Sequence, residues 1–456
     1  MRIIIKNKKK FMEIFNSIYP SNQLKKINGI SIDSRNIMSN DIFYPIKGNR
    51  YNGHDYLKQV LMNNSITCFS ENKKYSDKAI ICKSSKNEII KLAKLWRKHT
   101  KSKIIAITGS NGKTTLKEML FHILGNKYSC SKSAGNYNTT LGLPLTFLNS
   151  KLDDNYCILE LGASAPNEIK ILSKIFKPDM AIITNISKAH IGNFKSFNNL
   201  IKTKNQIFND IQANGNVFIN EDDENIQISN KEKNEILDNS HFNKYSYAFN
   251  GNKKTIYKGK IINKNGKTKL IINIKNNQSS NIIIPENIKH LGSIILAAYS
   301  ISNILGINNQ NFQHALESFE LPKGRGQIIK YNNCKIIDDT YNANPSSMKL
   351  GLDRVSNMQT EGKKIIVLGD MLELGNDEIK EHEKLGELIN LKKIDVIITF
   401  GNLMKNTIKK ITHNKSEIFH FTDFKKLNNK FHSVIKKNDL IYIKGSRSMY
   451  LERLYL

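Results

Sequence analysis

Apolar positions divide the chain into three regions, and each region predicts strands that alternate with helices. Residues 1–86 mix short apolar runs with turn residues and predict a small α/β unit. Residues 87–320 open with a predicted helix from Asn87 to Lys98, where apolar residues recur at helical spacing. Residues 321–456 form a further series of strands and helices. The alternation favours parallel sheets in the second and third regions.

Continuous apolar runs locate the strands of these two regions, because strands buried on both faces lack polar alternation. The predicted strands are 104–107, 156–161, 180–185, 217–219, 335–338, 365–368, 396–400 and 440–443. Two alternating segments flank Asn265-Gly266, a type I′ turn signal, and predict a hairpin of 255–262 with 267–274. The longer predicted helices are 116–124, 198–211 and 288–305. The polar stretch 221–244 predicts an exposed loop with a short helix.

The first motif with a chemical meaning lies between a predicted strand and a predicted helix. It reads Thr108-Gly109-Ser110-Asn111-Gly112-Lys113-Thr114-Thr115. Its glycines let backbone N–H groups face a phosphate, and the helix N-terminus adds partial positive charge. Lys113 can reach the β- and γ-phosphates, and Thr114 can hold Mg²⁺. The general phosphate-loop pattern has Gly where this chain has Ile107, but the strand–loop–helix context still predicts an ATP site.

Three polar residues near the ends of later predicted elements are candidates to complete this site. Glu160 ends a predicted strand, His190 follows the next one, and Lys204 lies on the helix after it. Ligands of open α/β sheets collect at the carboxyl ends of strands, where Glu160 and His190 are placed. Taken singly, each residue is more often an ordinary solvated or hydrogen-bonded side chain than a functional one.

The charge of the chain changes this picture little. Lys and Arg number 70 against 40 Asp and Glu, so the formal net charge of +30 invites a nucleic-acid-binding interpretation. Only eight of the 70 are Arg, and the Lys residues are spread along the whole chain without a recognition fold or stacking aromatics. We therefore expect no nucleic-acid partner and attribute the excess of Lys, Asn and Ile to AT-rich codon usage.

Cysteine usage and hydropathy predict a cytoplasmic protein. The five cysteines are scattered without CxxC spacing, so neither a disulfide framework nor a zinc ribbon follows. The N-terminal apolar stretch spans three residues, and no run approaches the roughly 20 apolar residues of a membrane span.

Eight motifs in one order resemble the Mur ligase family over essentially the whole chain. They are TGSNGKTT at 108–115, GNYNTTLGLPLT at 135–146, ELGAS at 160–164, NISKAHIGNF at 185–194, KGRG at 323–326, DDTYNANPSSM at 338–348, GDMLELG at 369–375 and KGSRSM at 444–449. IDSR at 32–35 and KGNRYNGHD at 47–55 resemble that family's uridine-binding domain. Patterns and resemblance together predict an α/β fold with three domains. These are a small α/β N-terminal domain, a central P-loop-type, mostly parallel sheet flanked by helices, and a Rossmann-like C-terminal domain.

The resemblance implies a reaction as well as a fold. The motifs are most similar to those of the family member that uses ATP to join D-alanyl-D-alanine to UDP-MurNAc-tripeptide in peptidoglycan precursor synthesis. The tripeptide carboxylate would attack the γ-phosphate, and the dipeptide amine would attack the resulting acyl phosphate. The products would be UDP-MurNAc-pentapeptide, ADP and phosphate. We expect a monomeric enzyme with these small-molecule substrates.

The resemblance also implies a metal and phosphate chemistry for matching residues. Thr114 and Glu160 would hold one Mg²⁺. His190 and a carbamylated Lys204 would hold a second Mg²⁺, since a carbamate presents hard oxygen ligands. Lys113 would neutralise the transferred phosphoryl group.

Substrate contacts are implied for three further groups of residues. Those that contact ATP, besides the phosphate loop, would be His290, Arg325 and Asp339. Those near the UDP-sugar would be Ser34, Arg35, Asn138 and Thr139. Those that receive the dipeptide would be Tyr341, Asn342 and Asn344.

Two positions depart from the family pattern, and the first of them motivates one of the alternatives, a non-catalytic homologue. His290 is followed by Leu291 and later Ile294, where the family has Asn residues near the adenine. Lys204 is followed by Asn205-Gln206 instead of Gly-Glu. The alternatives are another amide ligase of this superfamily, such as the tripeptide synthetase or a folylpolyglutamate synthase, or a non-catalytic homologue. A basic nucleic-acid-binding P-loop protein is the alternative from a different class.

Overall fold

The structure is a computed structural model that describes residues 1–48, 51–188, 191–226, 242–275, 278–412 and 416–456. Within these residues the strands form three sheets, one in each of the three predicted regions. This arrangement confirms the α/β class and the three-part architecture. The boundaries at 86/87 and 320/321 stay predictions.

The N-terminal sheet has the order β1-β2-β3-β4-β5, and only the β1–β2 pair is antiparallel. Its strands are β1 Arg2–Ile4, β2 Gly29–Ser31, β3 Asp41–Phe43, β4 Thr67–Ser70 and β5 Ile80–Ile81. The helices are α1 Lys8–Ile18, α2 Leu57–Val60 and α3 Ser85–His99. Helix α3 matches the predicted 87–98 helix, and its Trp96 is buried in a core shared with the central domain. The first two domains are therefore joined by continuous apolar packing.

The central sheet has the order β14-β13-β12-β11-β10-β9-β6-β8-β7 in the described part of the chain. Its strands are β6 Lys103–Thr108, β7 Cys130–Lys132, β8 Tyr156–Glu160, β9 Met180–Ile183, β10 Gly215–Asn220, β11 Phe242–Ala248, β12 Tyr257–Lys264, β13 Lys267–Ile274 and β14 Gln278–Ile284. Alternate residues of β6 enter different cores, Ile104 and Ala106 on one face, Ile105 and Ile107 on the other. Burial on both faces explains why this strand is continuously apolar.

The antiparallel edge of this sheet contains the predicted hairpin. Strands β12 and β13 pair antiparallel up to Lys264 opposite Lys267, and the turn residues Asn265 and Gly266 have φ of 52° and 71°. Two positive φ values are what a type I′ turn requires, so the prediction is confirmed. Strand β14 was not predicted, and neither were β7 and β11.

The central helices flank the sheet and differ from prediction at two ends. They are α4 Lys113–Gly125, α5 Gly142–Phe147, α6 Glu168–Phe176, α7 Ile191–Phe194, α8 Phe197–Asn205, α9 Gly292–Ile304 and α10 Asn309–Glu317. The helix predicted for 198–211 ends at Asn205 and continues as a 3-10 turn, Gln206–Phe208. The one predicted from residue 288 begins as a 3-10 helix, Glu286–Leu291. Of the predicted polar loop 221–244, residues 227–241 lie outside the described residues, and β11 begins within its last part at Phe242.

The C-terminal sheet has the order β15-β16-β20-β17-β18-β19 and is parallel except for β15. Its strands are β15 Gln327–Tyr331, β16 Cys334–Asp339, β17 Lys364–Gly369, β18 Val396–Phe400, β19 Glu417–Phe421 and β20 Leu440–Lys444. Helices α11 Pro345–Asn357, α12 Glu378–Asn390, α13 Met404–Lys409 and α14 Phe424–Val434 complete the domain. Alternate β17 side chains enter separate cores on the two faces. Among the described residues, no helix has the length and apolar character to cross a bilayer.

Candidate active site

Two glycines allow the phosphate loop between β6 and α4 to fold. Gly112 is the N-cap of α4 with φ of 80°, and a Cβ there would lie 2.5 Å from Ile294 Cδ1. Gly109 has φ of 148°, and a Cβ there would overlap the Thr184 hydroxyl. Glycine is required at both positions because the backbone and its neighbours leave no room for a side chain. The loop thus presents the positive end of α4 to the carboxyl edge of the sheet.

The residues that follow β9 hold the phosphate loop through hydrogen bonds. Ser110 N donates to Asn185 O at 2.8 Å, and Asn111 N donates to Asn185 Oδ1 at 3.1 Å. Thr184 Oγ1 donates to Asn111 O at 2.6 Å, and Ser110 Oγ donates to Ser187 O at 2.8 Å. These bonds hold the loop in one conformation, which lowers the entropic cost of binding a ligand there.

Two lysine side chains converge on the same carbonyl oxygen of this loop. Lys113 Nζ donates to Gly109 O at 2.8 Å, and Lys204 Nζ, from α8, donates to it at 2.9 Å. Burial lowers the pKa of Lys113, and burial together with the Lys113 charge lowers the pKa of Lys204 strongly. The Glu160 carboxylate opposes the lowering of the Lys113 pKa. Two amines that converge on one loop carbonyl are suited to a phosphate oxygen. The carbamate expected on Lys204 is not supported; the Lys204 amine donates to the loop carbonyl.

Thr114 and Glu160 form the oxygen-rich part of the site. Thr114 Oγ1 donates to Glu160 Oε2 at 2.8 Å, and Asn138 Nδ2 donates to Glu160 Oε1 at 2.8 Å. Glu160 ends β8 as predicted and is buried. A hydroxyl and a carboxylate held this close are the hard oxygen donors that Mg²⁺ prefers, so the residues fit that ion.

The C-terminal domain contributes Arg325 to this part of the site. Arg325 Nη2 donates to Thr114 Oγ1 at 3.1 Å, and the guanidinium lies 3.6 Å from the centre of the Tyr341 ring. Its Nε is buried and has no hydrogen-bond partner among the residues that the structure describes. A buried unsatisfied donor on a permanent cation is costly, so this atom fits a phosphate oxygen.

A second contact between the domains joins the loop to the start of α11. Asn344 caps that helix, and its Nδ2 donates to Asn111 Oδ1 at 2.7 Å. Asn111 Nδ2 in turn donates to Ser346 Oγ at 2.7 Å. Lys188 adds an ion pair with Asp377 at 3.1 Å. The C-terminal domain is thus held closed over the loop.

Two other predicted site residues of the C-terminal domain, Asp339 and Asn342, are linked by hydrogen bonds through Lys444. Asp339 Oδ2 accepts from Lys444 Nζ at 2.7 Å and from the Tyr442 hydroxyl at 3.0 Å. Lys444 also donates to Asn342 O at 2.8 Å, and Asn342 Oδ1 accepts from Ala343 N at 2.9 Å. Burial lowers the pKa of Lys444, and the Asp339 carboxylate opposes that effect.

His290 lies at the opposite rim of the phosphate loop. Its Nε2 is 3.4 Å from Arg354 Nη1, which also donates to Gly326 O at 2.7 Å. Ile294, one turn further, packs over Gly112. This rim therefore presents an apolar side chain beside one imidazole. Thr115 is buried in α4, and Thr108 is buried at the end of β6.

The predicted UDP-sugar residues lie in two separate places. Ser34 and Arg35 form a turn after β2, where Arg35 is 84% exposed and donates to both Asp33 oxygens at 2.9 and 2.8 Å. That pairing holds the pKa of Asp33 well below its usual range. Thr139 Oγ1 accepts from Gly142 N at 3.1 Å at the start of α5. No hydrogen bond in the described ranges joins Arg35 to Asn138 or Thr139.

His190 lies outside the described residues, so its predicted role stays a prediction. Within the part of the chain that the structure describes, no three His, Cys, Asp or Glu side chains cluster as a metal site.

The sequence did not lead us to predict the contacts that Asn185, Ser187 and Lys117 make at the site. The first two follow β9 at its carboxyl end, which is the same signal that identified Glu160. Lys117 lies three residues after Thr114 and so on the same helix face.

The fold and the site together define a phosphate-loop, nucleotide-binding enzyme whose site is closed by a second α/β domain. Residues 107–306 match the family model described as the Mur ligase middle domain, and residues 324–447 match that of the Mur ligase, glutamate ligase domain. The chain belongs to the Mur ligase family.

Relatives and solved structures support this membership. The chain is 31% identical to UDP-N-acetylmuramoyl-tripeptide--D-alanyl-D-alanine ligase of Bacillus subtilis (strain 168), over 95% of this chain and 94% of the relative. It is 33% identical to the enzyme of that name from Buchnera aphidicola subsp. Baizongia pistaciae, with 93% and 91% covered. MurF from Acinetobacter baumannii has a TM-score of 0.83 at 26% identity, with 97% of both chains covered. MurF ligase from Thermotoga maritima in complex with ADP has a TM-score of 0.79 at 27% identity, with 93% of this chain and 95% of that chain covered.

Proposed function

We propose that the chain is an ATP-dependent, ADP-forming ligase that joins D-alanyl-D-alanine to UDP-MurNAc-tripeptide. The observation that carries the proposal is the contact of Arg325 with Thr114, which is itself bonded to Glu160. This contact assembles one site from the central and C-terminal domains. The names of the relatives give the substrates.

The first step of the proposed reaction activates a carboxylate. An oxygen of the tripeptide carboxylate attacks the γ-phosphorus, the bond between the γ-phosphorus and the β–γ bridging oxygen breaks, and ADP leaves. We assign Lys113, which contacts the phosphate loop, and Arg325, which contacts Thr114, to the negative charge that develops on the phosphoryl oxygens. Thr114 and Glu160 would hold Mg²⁺, which supplies further neutralisation of the phosphate charge.

The second step forms the peptide bond. The dipeptide amine attacks the acyl carbon, phosphate leaves with the former carboxylate oxygen, and the amine loses a proton. We assign the approach of the dipeptide to Tyr341, Asn342 and Asn344, because they lie in the segment of the C-terminal domain that faces the phosphate loop. Asp339, held by Lys444, and His290 are assigned to the nucleotide.

UDP-sugar binding is assigned to two surfaces. One is the exposed Ser34–Arg35 turn of the N-terminal domain, and the other is the Asn138–Thr139 segment beside Glu160. A second Mg²⁺ would depend on His190 and stays a prediction. The monomeric state and the cytoplasmic location also stay predictions.

The proposal is tested by measuring phosphate release while each substrate is omitted in turn. We expect release only when ATP, UDP-MurNAc-tripeptide and D-alanyl-D-alanine are all present. A tripeptide labelled with ¹⁸O in its terminal carboxylate should transfer one label to phosphate, because that oxygen leaves with the phosphoryl group. Equal release without the dipeptide, or unlabelled phosphate, would contradict the proposal.

A further inference from the structure

Lys117 is a fully buried cation that the reaction described above does not use. It lies in α4 directly after the buried Leu116, and its side chain is 0% exposed. Removing an ammonium group from water is costly unless partners compensate, so its partners indicate what it does.

The partners of Lys117 include one residue of the active site, Glu160. Its Nζ donates to Ser133 O at 3.2 Å and to Gly135 O at 3.1 Å. It lies 3.2 Å from Glu118 Oε1 and 3.9 Å from Glu160 Oε2. Glu118 also pairs with the more exposed Lys132. Lys132 can therefore neutralise Glu118 without Lys117. The two carbonyl groups and Glu160, by contrast, are all contacted by Lys117.

The segment from Ser133 to Asn138 runs along Glu160 and contacts it near both ends. Glu160 N donates to Ser133 Oγ at 3.1 Å, and Asn138 Nδ2 donates to Glu160 Oε1 at 2.8 Å. Gly162 N donates to Asn138 O at 2.8 Å, and a Cβ on Gly162 would lie 2.6 Å from the Asn138 side chain. Lys117 donates to Ser133 and Gly135 in the first half of this segment, so its ammonium group joins the segment to α4.

We propose that Lys117 is a positioning residue that holds Glu160 and Asn138 as one unit and thereby couples the nucleotide-phosphate part of the site to the UDP-sugar part. The inference rests on the proposed function, which assigns Glu160 to Mg²⁺ and Asn138 to the UDP-sugar. Loss of the ammonium group releases the 133–138 segment, so binding of the UDP-substrate and phosphoryl transfer weaken together. The dipeptide approaches from the other domain and is not affected.

The test compares Lys117→Met, which keeps the length of the side chain, with Lys117→Arg, which keeps its charge. In Lys117→Met we expect the KM of the UDP-substrate to rise about tenfold and kcat to fall about tenfold, as for loss of a coupled buried interaction. The KM of D-alanyl-D-alanine stays within about twofold, and Lys117→Arg recovers part of both losses. Lys132→Met is the matched control, because Lys132 pairs with the same Glu118 and should leave all constants within about twofold.

A double-mutant cycle with Asn138→Ala separates positioning from general destabilisation. If Lys117 acts through Asn138, adding Asn138→Ala to Lys117→Met raises the KM of the UDP-substrate by less than about twofold further. Additive effects, or a folded Lys117→Met with an unchanged KM for the UDP-substrate, would overturn the inference. Should Lys117→Met not fold, Lys117→Gln and Lys117→Arg carry the same cycle. A wild-type chain without ligase activity would refute the proposed function instead.

Discussion

The phosphate loop and the Ser34–Arg35 turn are both charged regions assigned to substrate binding, but they differ in solvation. Lys204 at the loop is 5% exposed, and its amine contacts backbone carbonyl oxygen. Arg35 on the turn is 84% exposed and already has a carboxylate partner in Asp33. The amine of Lys204 is therefore shielded from water, whereas the guanidinium of Arg35 is hydrated.

This difference predicts different kinetic roles for the phosphate loop and the Ser34–Arg35 turn. Charges interact more strongly where water is excluded, and groups fixed beforehand need no reorganisation when the reaction proceeds. An exposed ion pair is weakened by solvent and salt, so it contributes little beyond attraction and orientation. We therefore expect variants at the loop to lower kcat, and variants at the turn to raise KM.

The largest effect is expected for Lys113→Ala. Removing a preorganised cation from the transferred phosphoryl group should lower kcat by about 1,000-fold. Phosphate release under saturating substrates measures it, with Lys101→Ala as control, because Lys101 is 84% exposed and pairs with Asp153 at 3.7 Å. Near-normal turnover of Lys113→Ala would contradict the expectation that variants at the loop, unlike those at the turn, lower kcat.

Arg325→Ala should follow, with a loss of about 100-fold in kcat and little change in the KM of the UDP-substrate. Arg325→Lys should restore only part of the rate, because lysine keeps the charge but loses the planar group stacked on Tyr341. Steady-state kinetics with each substrate varied distinguishes the two constants. A change confined to the KM of the UDP-substrate would place Arg325 with the recognition surface instead.

Arg35→Ala should show the opposite pattern. The KM of the UDP-substrate should rise up to about fivefold at unchanged kcat, since exposed ion pairs contribute at most about 1 kcal/mol. The increase should shrink at higher ionic strength. Lys73→Ala, an exposed lysine of the same domain, is the control. A large fall in kcat would mean that solvation does not separate the two regions.

The smallest effect concerns a buried group that must remain neutral. His382 is 0% exposed, its Nε2 accepts from Met371 N at 3.1 Å, and burial lowers its pKa. Because the unfolded state binds the proton more readily, stability is constant above about pH 6.5 and falls below it, by up to about 1.4 kcal/mol per pH unit. Denaturant unfolding at pH 7.5 and 5.5 measures this loss. It should be smaller in His382→Gln, and an equal loss in both proteins would exclude His382 as its source.

Local patterns explain which features were predictable. The phosphate loop from Thr108 to Thr115 follows one strand and opens one helix, so its residues carry their structural context with them. Glu160 was located because it ends a continuous apolar run. The end of α8 at Asn205 was missed because the apolar Ile207 and Phe208 continue the pattern while the backbone tightens into a 3-10 turn.

By itself, the sequence determined the alternation of strands and helices, the strands that are buried on both faces and the position of the phosphate loop. Each of these depends on residues that are near one another in the chain. The tertiary structure alone decided that Arg325 contacts Thr114, that Asn344 contacts Asn111, and that Lys204 lies on Gly109. These pairs are separated by 211, 233 and 95 residues. Packing of the central and C-terminal domains brings the first two pairs within hydrogen-bonding distance, and packing inside the central domain brings the third. The same packing excludes water from Lys117 and so gives an unremarkable helical lysine its place in the site.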